Sequence, residues 1–167
     1  IKKESLNLEN NNEYDGFRKS IFLDNLERDL TGIEKKYNGI VYLLDIIRIK
    51  LCNISPVNSK YKYMKDRINE ILDINFIKQK IENDVFDKSE LINILSFVVE
   101  KIREYQDEME DNVLDKWVDD IMKKVSVMDD SNINKILPKI MSELMDKLEK
   151  IEEKVVKYRK AIYENIE

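Results

Sequence analysis

The chain contains no histidine and a single cysteine, Cys52, among its 167 residues. Histidine is the commonest general base and the commonest metal ligand in proteins. Its absence excludes Ser–His–Asp and Cys–His nucleophile systems and most zinc sites. One cysteine cannot form a disulfide within the chain, which is typical of a reducing compartment. We therefore expect a cytoplasmic, intracellular protein that is not an enzyme and binds no cofactor and no metal.

The chain also contains only three glycines and two prolines. Few helix-breaking residues, together with 43% hydrophobic and 38% charged residues, are typical of long amphipathic helices. No glycine-rich phosphate loop is present, which excludes the common nucleotide-binding motifs. No apolar run approaches the roughly 20 residues of a membrane-spanning helix. The composition predicts an all-α protein, an irregular helical bundle with two long helices and several shorter ones.

The net charge of −5 argues against nucleic acid as the main partner, because phosphate binding needs a basic face. One small basic and aromatic patch, Lys60 to Lys65, does not outweigh this charge. We expect a protein partner instead. Residues 1–15 are polar and aperiodic, which predicts a mobile lead-in, and residues 16–167 form a single helical domain. The chain begins with Ile1 rather than methionine, so we expect a piece of a longer protein.

The spacing of apolar residues predicts the helices of the first half of the chain. The second helix has a wide apolar surface, which predicts burial on several sides. Asp73 is a candidate N-cap for a short helix whose inward residues are Phe76, Ile77 and Ile81. The predicted helices are Phe17 to Leu30, Glu34 to Asn53, Ser59 to Leu72, and a short helix that ends at Ile81.

A capping box at Asp87 to Glu90 predicts the start of a long helix, since an aspartate oxygen stands three residues before a glutamate. The apolar face of this helix runs from Leu91 to Met109. Its pattern is also compatible with continuation to Val125. Whether the helix is continuous through Asp107 to Asp111 stays open.

The last helix, about residues 135–163, has the most regular pattern in the chain. Pro138 is expected in or just past its first turn. Apolar residues alternate by four and three, which is a heptad pattern. They are Leu137, Met141, Leu144, Leu148, Ile151, Val155, Tyr158 and Ile162. The first six, the heptad seam, are candidates for packing inside the domain or for joining chains into a homo-oligomer.

Acidic residues are concentrated between Glu104 and Asp120, where Lys116 is the only basic residue. If this stretch is helical, four carboxylates fall on one side at three-and-four spacing. They form a candidate surface for a basic partner, and the competing interpretation is a solvated face. These residues, the acidic segment, are Glu104, Asp107, Glu108 and Asp111.

The middle of the chain resembles the T-complex protein 11 family over about residues 22–121. The resemblance rests on the order and spacing of residues in two blocks. The first block is Tyr37, Leu43, Leu44, Arg48, Leu51 and Pro56. The second is Ile68, Glu70, Leu72, Asp73, Phe76, Ile77, Gln79, Asp87 and Leu91.

The resemblance implies a helical interaction protein of intracellular signalling, linked to cyclic-AMP-dependent kinase pathways and without an established active site. Family members carry a Cys-Ala-Pro-x-Arg-Asp stretch after the long apolar helix, whereas this chain has Arg103 to Glu108 there. A function tied to that stretch is therefore not carried over. The alternative is a structural or assembly protein that oligomerises through its last helix.

Overall fold

The computed structural model describes residues 19–166, and no β-strand occurs among them. The predicted all-α class is confirmed, and the predicted lead-in, residues 1–15, lies outside the described residues. Short 3₁₀ turns at Ser59–Tyr61 and Glu108–Glu110 precede two of the helices. The helices are α1 (residues 19–29), α2 (Asn38–Ile54), α3 (Lys62–Ile71), α4 (Ile74–Glu82), α5 (Lys88–Tyr105), α6 (Asp111–Ser126) and α7 (Ile133–Ile166).

Helix α2 is the central element, because it packs against α3, α4 and α7. It begins at Asn38, four residues later than predicted. Tyr42 and Ile49 are exposed, so α2 presents one broad buried face and is not enclosed on every side. The buried residues of that face are Ile40, Leu43, Leu44, Ile47, Leu51 and Ile54.

Gly39 allows α1 to approach the start of α2 closely. A Cβ atom at this position would lie 2.3 Å from Cδ2 of Leu26, which is itself buried. Asn38 and Gly39 are the first two residues of α2. A methyl group at position 39 would require the Leu26 side chain to shift.

We expect Gly39→Ala to lower the free energy of unfolding by about 1 kcal/mol. Overpacking costs roughly 1–3 kcal/mol, and a gain of about 1 kcal/mol in helix propensity offsets part of it. Urea unfolding measures the change. In a Leu26→Ala background the clashing atom is absent, so the same substitution should be neutral or stabilising. If Gly39→Ala is stabilising in both the wild-type and the Leu26→Ala backgrounds, α1 does not pack tightly against the start of α2.

The stretch after α5 is not a continuous helix. Helix α5 ends at Tyr105, Gln106 is extended, and α6 begins at Asp111. Carboxylates are unfavourable at the negative C-terminal end of a helix and favourable at the N-terminal end. Asp107, Glu108 and Glu110 would extend α5 against its dipole, whereas they precede α6 in a favourable position. Met109, predicted on an apolar face, is 92% exposed as a result.

Helix α7 starts two residues earlier than predicted and contains 34 residues, which corresponds to about 50 Å. Pro138 is the sixth residue of the helix, which places it just past the first turn, one of the two predicted positions. The heptad seam is buried from Leu137 to Ile151, and Val155 is half-buried. Beyond that point Tyr158 is 70% and Ile162 is 41% exposed. The heptad seam therefore packs inside the domain, and the end of α7 projects past it.

One residue predicted to point inward in α4 is on the surface. Ile77 is buried and Ile81 is half-buried, but Phe76 is exposed. The Nζ of Lys80 lies 4.5 Å from the centroid of the Phe76 ring. A cation over an aromatic face stabilises an exposed ring, which periodicity does not reveal.

Candidate functional site

Three loops meet at one end of the helical bundle, which we call the loop end. They are residues 30–37, 83–87 and 127–132. Lys35 ties the first loop to the third, because its Nζ donates to the backbone oxygen of Asp130 at 2.8 Å. The loop end surrounds a cleft of about 280 Å³ whose lining includes Tyr37, Asp84 and Asp130. The chain thus brings three distant loops to a single concave surface.

The floor of the loop-end cleft is apolar. It is formed by side chains of α2, α4, α5 and α7 and by residues of the adjoining loops. Some of the lining side chains are buried and some are half-buried, so the cleft opens directly onto the hydrophobic interior. The apolar lining residues are Ile40, Leu44, Ile81, Phe86, Leu91, Met128, Ile133 and Leu137.

Two aspartates on the rim of the cleft hold its loops in place. Asp87 Oδ1 accepts from the Ser89 hydroxyl at 2.6 Å and from the Glu90 amide at 2.9 Å. These bonds hold the pKa of Asp87 below its ordinary value. Asp129 accepts in the same way from the hydroxyl and amide of Ser131, and these bonds also lower its pKa. Both carboxylates are therefore charged at neutral pH.

Two further rim aspartates, Asp84 and Asp130, are exposed. Within residues 19–166 neither carboxylate makes a hydrogen bond or an ion pair. Asp84 has a φ of 55°, a left-handed conformation that aspartate tolerates better than most residues. Burial raises the pKa of the Tyr37 hydroxyl, and the charges of Asp130 and Asp84 raise it further. Tyr37 therefore keeps its proton and can donate to a bound ligand.

Next to the cleft, an ion pair joins α4 to the first turn of α5. Lys80 Nζ lies 2.5 Å from Glu90 Oε1, while Glu90 Oε2 is buried without a hydrogen-bond partner. The predicted capping box is thus only half formed. Asp87 caps α5, but the Glu90 side chain pairs with α4 and does not return to the cap.

The acidic segment lies at the other end of α5 and is divided between three elements. Glu104 pairs with Lys101 at 3.3 Å and Asp107 with Lys154 at 3.0 Å. Asp111 accepts from Gln106 Nε2 at 2.6 Å. Because α5 ends before Asp107, the four carboxylates do not share one helical side as predicted. Much of their charge also has an internal partner.

Two short motifs in the sequence are a weak indication of the loop-end cleft. The motifs Asn-Asp-Val-Phe-Asp at residues 83–87 and Met-Asp-Asp at 128–130 each place two aspartates at a helix end. Aspartate is common at such positions because it caps helices and turns. That these two motifs face the same cleft follows from the packing of α4, α5 and α7, which a local pattern does not show.

Residues 19–166 contain neither a metal-binding cluster nor a membrane-spanning helix. No group of three or more histidine, cysteine, aspartate and glutamate side chains in this range is arranged to hold a metal ion. None of the helices described there is both long and apolar enough to cross a lipid bilayer. The single cysteine, Cys52, is partly exposed, and its partial burial raises the pKa of its thiol.

Comparison with known proteins supports the resemblance found in the sequence. The family model described as T-complex protein 11 matches residues 18–142, a longer stretch than the one predicted. No curated protein and no solved structure matches the chain. The matched region contains α1 to α6 and the first part of α7, and so includes every loop of the loop end. The chain belongs to the T-complex protein 11 family.

Proposed function

We propose that this chain is a non-enzymatic protein-interaction module that receives a segment of a partner at the loop-end cleft. The observation that carries the proposal is an apolar floor open to solvent beneath a rim with two carboxylates that are unpaired within residues 19–166. Its volume of about 280 Å³ lies at the lower limit of the roughly 300–1,000 Å³ typical of small-molecule pockets. A space of this size suits one or two anchoring side chains of a polypeptide.

The residue content supports a role without catalysis. The sequence has no histidine, and two of the four rim aspartates are engaged in capping loops. A carboxylate that acts as a general acid usually has a raised pKa, whereas the pKa values of Asp87 and Asp129 are lowered. We propose accordingly that the module requires no cofactor.

The family supports a more specific setting for the module. We propose that it acts in the cytoplasm, in signalling linked to cyclic AMP, as the resemblance to the T-complex protein 11 family implies. A single, partly exposed cysteine is compatible with a reducing compartment.

A second candidate function is assembly through the last helix. The observation that favours it is the exposed end of α7, where Tyr158 and Ile162 continue the heptad pattern past the domain. Most of the heptad seam is already packed against the same chain. Only a short stretch therefore remains to join two chains, which makes this the weaker proposal.

A photo-cross-linking amino acid separates these proposals without changing any charge. It replaces Phe86 in the cleft, Met109 in the acidic segment, Tyr158 at the end of α7, or Tyr42 as an exposed aromatic control. Each protein is irradiated in a lysate of the source cells. We expect cross-links to other proteins from the Phe86 position and none from Tyr42.

Each alternative outcome has its own meaning. Cross-links from Met109 alone would place the partner surface on the acidic segment. Cross-links from Tyr158 to a second copy of the chain would favour assembly. An absence of cross-linked protein at all four positions would contradict the interaction module.

A further inference from the structure

We infer that the occupant of the loop-end cleft is a segment of another protein in which a large apolar side chain is flanked by lysine or arginine. The inference deepens the proposed function and rests on it. It names the chemistry of the partner, which the family does not supply. The inference rests on charge complementarity and on the apolar floor of the cleft.

The charge on the lining favours a cationic ligand. Four aspartates line the cleft against one lysine, Lys88, whose Nζ is directed to the backbone oxygen of Ser126 at 3.3 Å. Asp84 and Asp130 have no partner within the described residues, so their carboxylates are free to accept charge-assisted hydrogen bonds. Lys35, next to the rim, is held by the backbone oxygens of Leu30, Gly32 and Asp130. An anionic segment would meet uncompensated negative charge here.

The same three loops also carry exposed apolar residues outside the cleft. Each loop contributes one exposed aliphatic residue: Ile33, which is fully exposed, Val85 and Val127. Single exposed aliphatic residues are ordinary on protein surfaces. Three of them on the loops that surround one cleft enlarge the apolar area that a ligand can cover. The floor accommodates the anchor side chain, and the rim selects its basic neighbours.

A second copy of the same chain is a poorer occupant. The exposed end of α7 is basic and partly apolar, with Tyr158 and Ile162 near Lys157 and Lys160. If this end entered the cleft of a second copy, the contact would be head-to-tail. Such contacts build open chains unless the rotation closes a ring. We therefore assign the cleft to a different protein.

The probe is a phage-displayed library of random peptides of about twelve residues, selected on the wild-type protein. We expect the enriched peptides to share an apolar residue with lysine or arginine on both sides. Affinity of the synthetic peptides is then measured by fluorescence anisotropy. Asp84→Asn combined with Asp130→Asn should weaken binding about tenfold, through the loss of two ionic hydrogen bonds. Asparagine also tolerates the left-handed backbone at position 84.

The matched control is Glu104→Gln combined with Glu108→Gln, which removes the same charge roughly 25 Å away along α5. Peptide affinity should be unchanged in this variant. Enrichment of acidic or uncharged peptides, no enrichment at all, or equal loss in both double variants would overturn the inference. Self-association that disappears on Lys157→Glu and Lys160→Glu would instead identify a second copy as the occupant. If the Phe86 position cross-links to other proteins but the library yields no basic peptides, the proposed interaction module stands and only this inference fails.

Discussion

Leu148→Ala should lower the free energy of unfolding by about 2–5 kcal/mol, the usual range for a buried leucine reduced to alanine. Leu148 is fully buried in the middle of the heptad seam, where α7 packs on α2 and α5. The substitution leaves a cavity that the surrounding helices fill only in part. Because the lost contacts lie within one chain, the loss should not depend on protein concentration. Urea unfolding over a hundredfold concentration range measures both quantities.

The matched control is Ile162→Ala, two heptads further along the same helix. Ile162 is 41% exposed, so its truncation should change stability by no more than about 0.5 kcal/mol. A loss at Leu148 that grows on dilution would show that the heptad seam also joins chains. If both variants lower the free energy of unfolding by the same small amount, α7 is not packed in the core.

The heptad pattern predicted which face of α7 is apolar but not where its packing ends. The pattern depends only on the spacing of residues in α7, and it continues unchanged through Tyr158 and Ile162. Burial depends on the helices opposite. Helix α2 ends at Ile54 and α5 at Tyr105, so the last part of α7 has less surface to pack against. Periodicity on one element cannot report the length of its neighbours.

For a related reason, the sequence does not decide whether a break separates α5 from α6. Apolar residues continue at helical spacing through Met109 and Val113, and both are exposed in the fold. Helix dipoles disfavour the carboxylates at this point, but the apolar spacing favours continuation. The outcome depends on which side chains the domain has room to bury, and Leu114 is the next one that it buries.

The loop-end cleft could be predicted least, although its parts are visible in the sequence. Asp87 was expected to cap α5, and it does so. Within residues 19–166, the carboxylates of the neighbouring rim residues, Asp84 and Asp130, make no hydrogen bond that a motif could indicate. Their positions follow from contacts such as Lys35 to the backbone of Asp130, which join residues far apart in the chain.

Within the described residues, Arg159 attaches the exposed end of α7 to the domain. Arg159 donates from one guanidinium nitrogen to the backbone oxygen of Asn53 at 2.7 Å and from the other to that of Ser55 at 2.9 Å. These oxygens lie at the C-terminal end of α2, where carbonyl groups lack helical partners and the dipole attracts cations. Arg159 therefore caps α2 from a distant helix, and Ser55 is buried at that contact.

Arg159→Met should lower the free energy of unfolding by about 2 kcal/mol, since two hydrogen bonds from a charged donor are lost while the apolar stem is kept. Lys160→Met is the matched control. Lys160 is exposed and makes no side-chain hydrogen bond or ion pair within the described residues, so its replacement should have an effect within about 0.5 kcal/mol.

Arg159→Lys tests the geometry of the contact. Lysine keeps the charge but lacks the planar fork that reaches both oxygens, so it should recover only part of the loss. Thermal and urea unfolding of the three variants give the ranking. If Arg159→Met and Lys160→Met unfold at the same midpoint, the end of α7 is not attached to α2. In that case the surface available at Tyr158 and Ile162 is larger than the structure shows, and assembly through the last helix becomes the stronger proposal.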